Sequence, residues 1–163
     1  MKKMLMLVMC GILAGCDYTV PLVRESKTEI DKTLVGLWQR TNDKGEPEHL
    51  LILPLGTREY LVSFPSGTES SMFARACLCK VDTMNLVQIE WIGTAKGKVP
   101  DNVKVFQYAA YSINGDSLSV RLLNPETAGM DVKTSEDLEK SILHNKDNPK
   151  LFREAMSFHK IAR

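Results

Sequence analysis

The sequence predicts a mainly β fold: an antiparallel up-and-down barrel of about eight strands, with a helix before the last strand. Seven short segments with strand character follow one another between residues 35 and 123, and turn-forming residues separate them at short intervals. A helical pattern then replaces the strand pattern, and one more strand-like segment follows it. Pairing of that last segment with the first strand would close the sheet and remove its exposed edges.

The turn residues set the bounds of the first seven strands. Asn114-Gly115 is the clearest two-residue hairpin signal in the chain, since both residue types tolerate positive φ. Asp82-Thr83 makes an equally brief link between two longer strands. The predicted strands are residues 35–41, 49–53, 59–64, 72–81, 86–94, 103–113 and 117–123.

Helical signals follow the seventh strand. Thr134 can cap a helix, with Asp137 three residues later, and an apolar face then extends to about His144. Asn148-Pro149 repeats a start signal, a cap followed by proline, and predicts a second short helix over residues 149–154. Residues 156–161 are the predicted last strand.

The first fifteen residues have the pattern of a secretion signal. Residues 4–15 follow Lys2 and Lys3 and contain no charged side chain. A bilayer-spanning helix needs about 20 apolar residues, whereas this length suits the apolar part of a signal peptide. The signal ends with four residues of a characteristic type, Leu13-Ala14-Gly15-Cys16.

These four residues resemble the lipobox of bacterial lipoproteins. The resemblance implies cleavage between Gly15 and Cys16, and a diacylglycerol thioether and acylated amine, with palmitate-type chains, on Cys16. Such chains anchor a protein stably only when there is more than one of them. An ordinary signal peptide with an accidental cysteine is the alternative, which the fit at all four positions disfavours.

Asp17 bears on which membrane holds the anchor. In enteric bacteria, an aspartate after the lipidated cysteine resembles the signal that withholds lipoproteins from the outer membrane. We therefore expect the periplasmic face of the inner membrane, with the outer membrane as the alternative. The predicted organisation is a signal over residues 1–15, a lipidated tether over 16–33 that holds the domain off the bilayer, and one barrel domain over 34–163.

The charge balance argues against a nucleic-acid partner. Loss of Lys2 and Lys3 leaves 19 of the 21 basic side chains, against 20 acidic ones. A nearly neutral chain offers no extended positive field for phosphate backbones or anionic lipids. The bilayer, reached through Cys16, is the one partner that the sequence predicts directly.

Cys77 and Cys79 are the remaining reactive side chains of interest. Residues two apart on a strand have Cβ atoms about 6.6 Å apart, whereas a disulfide prefers about 3.8 Å. We therefore predict two free, buried thiols. A metal site with a histidine from a neighbouring strand is the alternative, but the three histidines fall in three different elements, and we predict no metal and no cofactor.

Gly36-x-Trp38, at the start of the first strand, resembles the G-x-W motif of lipocalins. In that family the tryptophan plugs the closed end of an up-and-down barrel, and an arginine from near the C-terminus packs across it. The resemblance implies a lipocalin-like barrel in which Arg153 or Arg163 contacts Trp38. A core tryptophan on an unrelated β-strand is the alternative.

Five aromatic residues on adjacent predicted strands are candidates for a ligand pocket. They either line a cavity for a small apolar ligand or fill the barrel. No nucleophile elbow, phosphate loop or paired-carboxylate motif is present, and we expect no enzymatic activity. The hypotheses are an envelope interaction module facing the periplasm and, alternatively, a small-ligand carrier. The candidates are Phe64, Trp91, Phe106, Tyr108 and Tyr111.

Overall fold

Eight antiparallel strands close into one barrel in the computed structural model of the protein, which describes residues 18–97 and 104–162. Each strand pairs with the next in sequence, and the eighth pairs with the first. The predicted fold class, including the helix before the last strand, is therefore confirmed. The strands are β1 (Gly36–Thr41), β2 (Pro47–Leu55), β3 (Glu59–Phe64), β4 (Met72–Val81), β5 (Met84–Thr94), β6 (Phe106–Asn114), β7 (Ser117–Leu122) and β8 (Met156–Ala162).

Helices occupy the connection between β7 and β8 and the approach to β1. A 3₁₀ turn (Lys32–Leu34) precedes β1, and α1 (Pro125–Ala128) and α2 (Ser135–His144) follow β7. The Thr134 side chain accepts a hydrogen bond from the backbone N–H of Asp137 at 3.1 Å, so the predicted cap of α2 is confirmed. No helix among the described residues is long and apolar enough to cross a bilayer.

The predicted helix over residues 149–154 is wrong. Asn148 accepts a hydrogen bond from Lys150 and makes only a turn. Leu151 is buried in the outer apolar cluster, and the backbone of Phe152 pairs with that of Leu123. Because of these two contacts the backbone is extended here and not helical. The same Asn-Pro signal does start a helix at residues 124–125, where α1 begins.

The β6–β7 hairpin turns one residue later than predicted. Asn114 still pairs with Ser117 as the last rung of the ladder. The two turn residues are therefore Gly115 and Asp116, and the positive φ of 58° falls on Gly115. Glycine adopts this conformation without the steric cost that a side chain adds.

Two apolar clusters stabilise the domain. The inner cluster receives side chains from all eight strands and therefore fills the barrel; Trp38, Tyr60 and Phe158 are among its largest members. The outer cluster joins the outward faces of β4, β5 and β6 to α2, with Leu138 and Ile142 fully buried. Both faces of this half of the sheet are thus apolar and covered.

Candidate functional site

Trp38 closes the end of the barrel where β1 begins. Its indole N–H donates to the carbonyl of Leu34 at 2.8 Å, which ties the ring to the 3₁₀ turn. The ammonium of Lys160 lies 4.5 Å from the ring centroid and also donates to the carbonyls of Thr33 and Val35. The cation over Trp38 is therefore Lys160, one of the inward-facing residues of β8, and not the predicted Arg153. Arg163, the other expected partner, lies outside the described residues.

Tyr60, on β3, helps to close the same end of the barrel. Its hydroxyl accepts from the backbone N–H of Asp31 at 2.6 Å and donates to the carbonyl of Asp31 at 3.1 Å. Burial raises the pKa of the Tyr60 hydroxyl. The backbone N–H of Ile30 adds a bond to Thr57 at 3.0 Å. The approach to β1 therefore forms the floor of the barrel.

An ion pair occupies the opposite end. Arg40 on β1 and Glu48 on β2 face each other at 2.7 Å, with 15% and 17% of their side chains exposed. The Arg40 guanidinium also lies 5.4 and 5.7 Å from the ring centroids of Phe64 and Phe158. A cation stacked on aromatic rings and paired with a carboxylate is held in place, so this cluster covers the mouth of the barrel.

The structure separates the five aromatic pocket candidates into two groups. Phe64, Trp91 and Tyr111 pack against the inner cluster, and the indole N–H of Trp91 donates to Gln107 at 2.9 Å. Phe106 and Tyr108 belong to the outer cluster on the other face of the sheet. Because successive side chains alternate across a strand, these five side chains do not share one lining.

Side chains fill the barrel interior. Trp38 and Ala74 have no exposed surface, and Tyr60 and Leu118 are each 1% exposed. Such values leave no water-sized space beside Trp38, Ala74 or Tyr60. A groove of about 360 Å³ lies on the outer surface. A second groove, of about 420 Å³, is lined by outward-facing residues and also by the inward-facing residues Arg40, Leu118 and Phe158.

Residues 18–23, which we call the N-terminal strap, pack on the outside of the barrel. Tyr18 is 1% exposed, and its backbone exchanges hydrogen bonds of 3.1 and 3.0 Å with Phe106. The Gln88 side chain on β5 accepts from the N–H groups of Leu22 and Val23 and donates to the carbonyl of Val23. Within the segment predicted as a lipidated tether, residues 16–33, the structure thus places residues 18–23 against the barrel wall.

Further contacts lock the strap between the sheet and α2. The Tyr108 hydroxyl donates to the carbonyl of Val20, and the Ser135 hydroxyl at the start of α2 donates to the carbonyl of Pro21. The sequence carries a signal for this packing that the prediction of a tether did not use. Tyr18, Val20 and Leu22 are apolar residues spaced two apart, which is the spacing of an extended segment with one buried face.

Cys77 and Cys79 are free and buried, as predicted. Both side chains point outward from β4, and Cys79 belongs to the outer cluster. Burial raises the pKa of the Cys79 thiol to about 12 and also raises that of Cys77. Thiols with raised pKa values are poor nucleophiles at neutral pH. Within the described residues, no group of three His, Cys, Asp or Glu side chains is placed to hold a metal ion.

A contiguous apolar surface runs across part of the outward faces of β1, β2 and β3. Leu51 lies directly opposite Leu37, and Leu53 lies directly opposite Leu61. Leu53 and Leu55 are each 40% exposed, and Ile161, the bulged residue beside Leu37, is 50% exposed. Among the described residues, none of these side chains packs into either cluster. We call this surface the leucine patch: Leu37, Leu51, Leu53, Leu55, Leu61 and Ile161.

Polar and charged side chains border the leucine patch. Glu59 lies opposite Leu55, and Arg75 lies opposite Leu61. These two rim residues form an ion pair in which one guanidinium nitrogen contacts both carboxylate oxygens, at 2.9 and 2.7 Å. An apolar centre with a charged rim is the usual anatomy of a protein–protein interface.

The barrel face next to the patch is polar and supplies a contrast. Ser119 on β7 lies directly opposite Ser112 on β6 and Ser157 on β8, and Ser117 lies opposite His159. The groove of about 420 Å³ runs over these residues. This face carries small hydrogen-bonding side chains where the patch carries leucines.

The described residues begin two positions after Cys16, so the predicted lipidation, cleavage and sorting residues Gly15, Cys16 and Asp17 lie outside them. No protein-family model, no curated protein and no solved structure matches this chain.

Proposed function

We propose that this chain is a lipid-anchored envelope protein that binds another envelope protein through the leucine patch. The exposed patch is the observation that carries the proposal. Single exposed leucines are common on soluble domains, whereas contiguous apolar patches with a polar rim mark interaction sites.

The sequence of β2 supports a covered outer face. Residues 50–55 read Leu-Leu-Ile-Leu-Pro-Leu, without a polar side chain. Strands with apolar residues on both faces are usually covered on both faces. The strap and α2 cover the outer face of β5 and β6, but nothing among the described residues covers that of β2. A partner protein would supply the missing layer.

The filled interior favours this function over transport of a small apolar ligand. A carrier needs a cavity of roughly 300 Å³ or more, and the inner side chains leave no such space beside Trp38 or Tyr60. The ends of the barrel also carry ordered polar clusters, with Lys160 at one end and Arg40 at the other.

The lipobox at residues 13–16 supports an anchor at Cys16. Asp17 favours the periplasmic face of the inner membrane, and the outer membrane is the alternative. The anchor confines this protein to the same envelope compartment as its partner. This confinement raises the effective concentration of the two proteins for each other, so that a patch of only six residues is sufficient for association.

Site-specific photo-crosslinking in cells tests the proposal. A photoreactive amino acid at Leu53 should give a discrete adduct with a second protein. The same amino acid at Ser117, on the polar face, serves as the control and should give no such adduct. In a second variant, Leu53→Ser is combined with the photoreactive residue at position 55, and the yield of the adduct should fall at least fivefold. A fivefold loss corresponds to truncating an interface residue that contributes about 1 kcal/mol to binding.

Two results would contradict the proposed function. One is an absence of adducts from both Leu53 and Leu55 when the protein is present at its normal level. The other is a single adduct with twice the mass of this chain, since it would make the patch a self-association surface. Thermal unfolding of Leu53→Ser should stay within about 1 °C of the parent, because substitutions at exposed positions change stability little.

A further inference from the structure

The strap attaches Tyr18, its first residue, to the wall of the barrel. Tyr18 forms a two-way backbone bridge with Phe106 at the start of β6, and its ring lies 5.4 Å from that of Tyr108. Its side chain and backbone are thus bound to the barrel wall. Tyr18 is therefore fixed in place relative to the barrel.

The distance from Tyr18 to the anchor is limited by covalent geometry. Cys16 is two residues before Tyr18, and consecutive Cα atoms are 3.8 Å apart, so the two Cα atoms are separated by at most about 7.6 Å. We infer that the lipid on Cys16 holds the barrel directly against the bilayer, with the corner around the start of β6 as its membrane-facing surface. This inference rests on the proposed lipidation.

Side chains at this corner suit the phospholipid headgroup region. Met130 is 52% exposed, and its carbonyl accepts a hydrogen bond from the Lys104 ammonium at 2.9 Å. The backbone N–H of Trp91 bonds to Val105, which places the 39% exposed Ile92 beside Lys104. Exposed apolar side chains next to a cation can enter the interface while the cation faces lipid phosphates. Asp131, next to Met130, carries a negative charge that lipid phosphates repel. Attachment to the bilayer therefore depends on the anchor as well as on this surface.

The same placement leaves the leucine patch free. In a closed ring of eight strands, β2 is four strands away from β6 in both directions. Leu53 and Leu55 also lie near the end of β2, at the opposite end of the barrel from the start of β6. A barrel that rests on the corner near Tyr18 therefore directs the patch away from the bilayer, toward partners in the aqueous compartment.

Spin-label depth measurements test this inference on the full lipidated chain. Nitroxide labels at Met130→Cys and Ile161→Cys sit at positions of nearly equal exposure, 52% and 50%. The protein is placed in vesicles of phosphatidylethanolamine and phosphatidylglycerol, and collision rates with oxygen and with a water-soluble nickel chelate are compared. In vesicles, the collision rate of the Met130 label with the nickel chelate should fall to half or less of its rate in the same protein without vesicles. The collision rate of the Ile161 label should stay the same in both samples.

An insertion variant tests whether the short connection is the cause. Eight Gly/Ser residues between Asp17 and Tyr18 preserve the anchor and the strap but lengthen the connection by up to about 28 Å. This insertion should restore the nickel collisions of the Met130 label. Unchanged protection after the insertion would overturn the role assigned to the short connection.

The outcomes separate the two proposals. The intact mass of the purified protein is measured first, and an unmodified Cys16 would contradict the proposed function. A lipidated protein whose Met130 and Ile161 labels collide equally with the nickel chelate would overturn only the inferred orientation.

Discussion

Replacing Gln88 by leucine removes the side-chain amide that holds the strap on β5. The amide oxygen accepts from the backbone N–H groups of Leu22 and Val23 at 2.7 and 3.0 Å, and the amide nitrogen donates to the carbonyl of Val23 at 2.9 Å. Leucine fits the space beside the outer cluster but can form none of these bonds. Gln88→Leu therefore tests the hydrogen bonds of the strap while preserving most of its packing.

The expected effect follows from three lost hydrogen bonds. Each contributes about 0.5–1.5 kcal/mol, so opening of the strap should become easier by about 1.5–4.5 kcal/mol. At about 1.4 kcal/mol per factor of ten, this predicts amide exchange at Leu22 and Val23 about 10- to 2000-fold faster than in the parent. The amides of the inner strands should be affected much less.

Hydrogen–deuterium exchange at Leu22 and Val23 measures this directly. Gln39→Leu is the matched control, because Gln39 lies on the outer face of β1 and contacts His49 at 3.3 Å, far from the strap. Exchange in the control should equal that of the parent. Unchanged exchange at Leu22 and Val23 in Gln88→Leu would refute the role assigned to this amide in holding the strap.

Two further predictions concern barrel closure and pH. A Cβ at Gly36, where φ is 142°, would lie 2.6 Å from the carbonyl oxygen of Ala162, so Gly36→Ala should lower the free energy of unfolding by more than about 3 kcal/mol. Gly45→Ala, in open space at φ 80°, should cost only about 1–2 kcal/mol; equal losses in denaturant titrations would contradict the proposed clash. Burial raises the pKa of the Cys79 thiol from 9.0 to about 12, so below pH 9 this thiol is neutral in both states, and between pH 9 and 12 ionisation favours the unfolded chain. The free energy of unfolding should therefore fall by up to about 1.4 kcal/mol per pH unit in that range, and a slope that Cys79→Ala leaves unchanged would contradict this assignment.

Local signals in the sequence were sufficient for the barrel itself. Alternation and turn residues indicated seven strands between residues 35 and 123, and the Thr134 cap indicated α2. Two local errors share a cause: the hairpin turn at Gly115 and the segment after Asn148 depend on register and tertiary packing. The buried Leu151 and the Leu123–Phe152 pair act over a long sequence separation, which no short-range signal records.

The surfaces could not be predicted, because they depend on which strand face receives a cover. Gln88 and Tyr108 lie on the outward faces of β5 and β6, yet both are buried under the strap. Leu53 and Leu55 lie on the outward face of β2 and are exposed. Sequence alternation assigns a side chain to one face of the sheet, but it does not state whether that face meets solvent, another part of the chain or a partner.

The accessibility of position 53 in cells tests the central claim, a partner on the leucine patch, most directly. A thiol introduced by Leu53→Cys should react rapidly with a maleimide in the purified protein, where this position is 40% exposed. In intact cells its reaction should be at least tenfold slower, while a thiol from Ser117→Cys on the polar face reacts equally in both settings. Equal rates at position 53 in cells and in the purified protein would contradict the account.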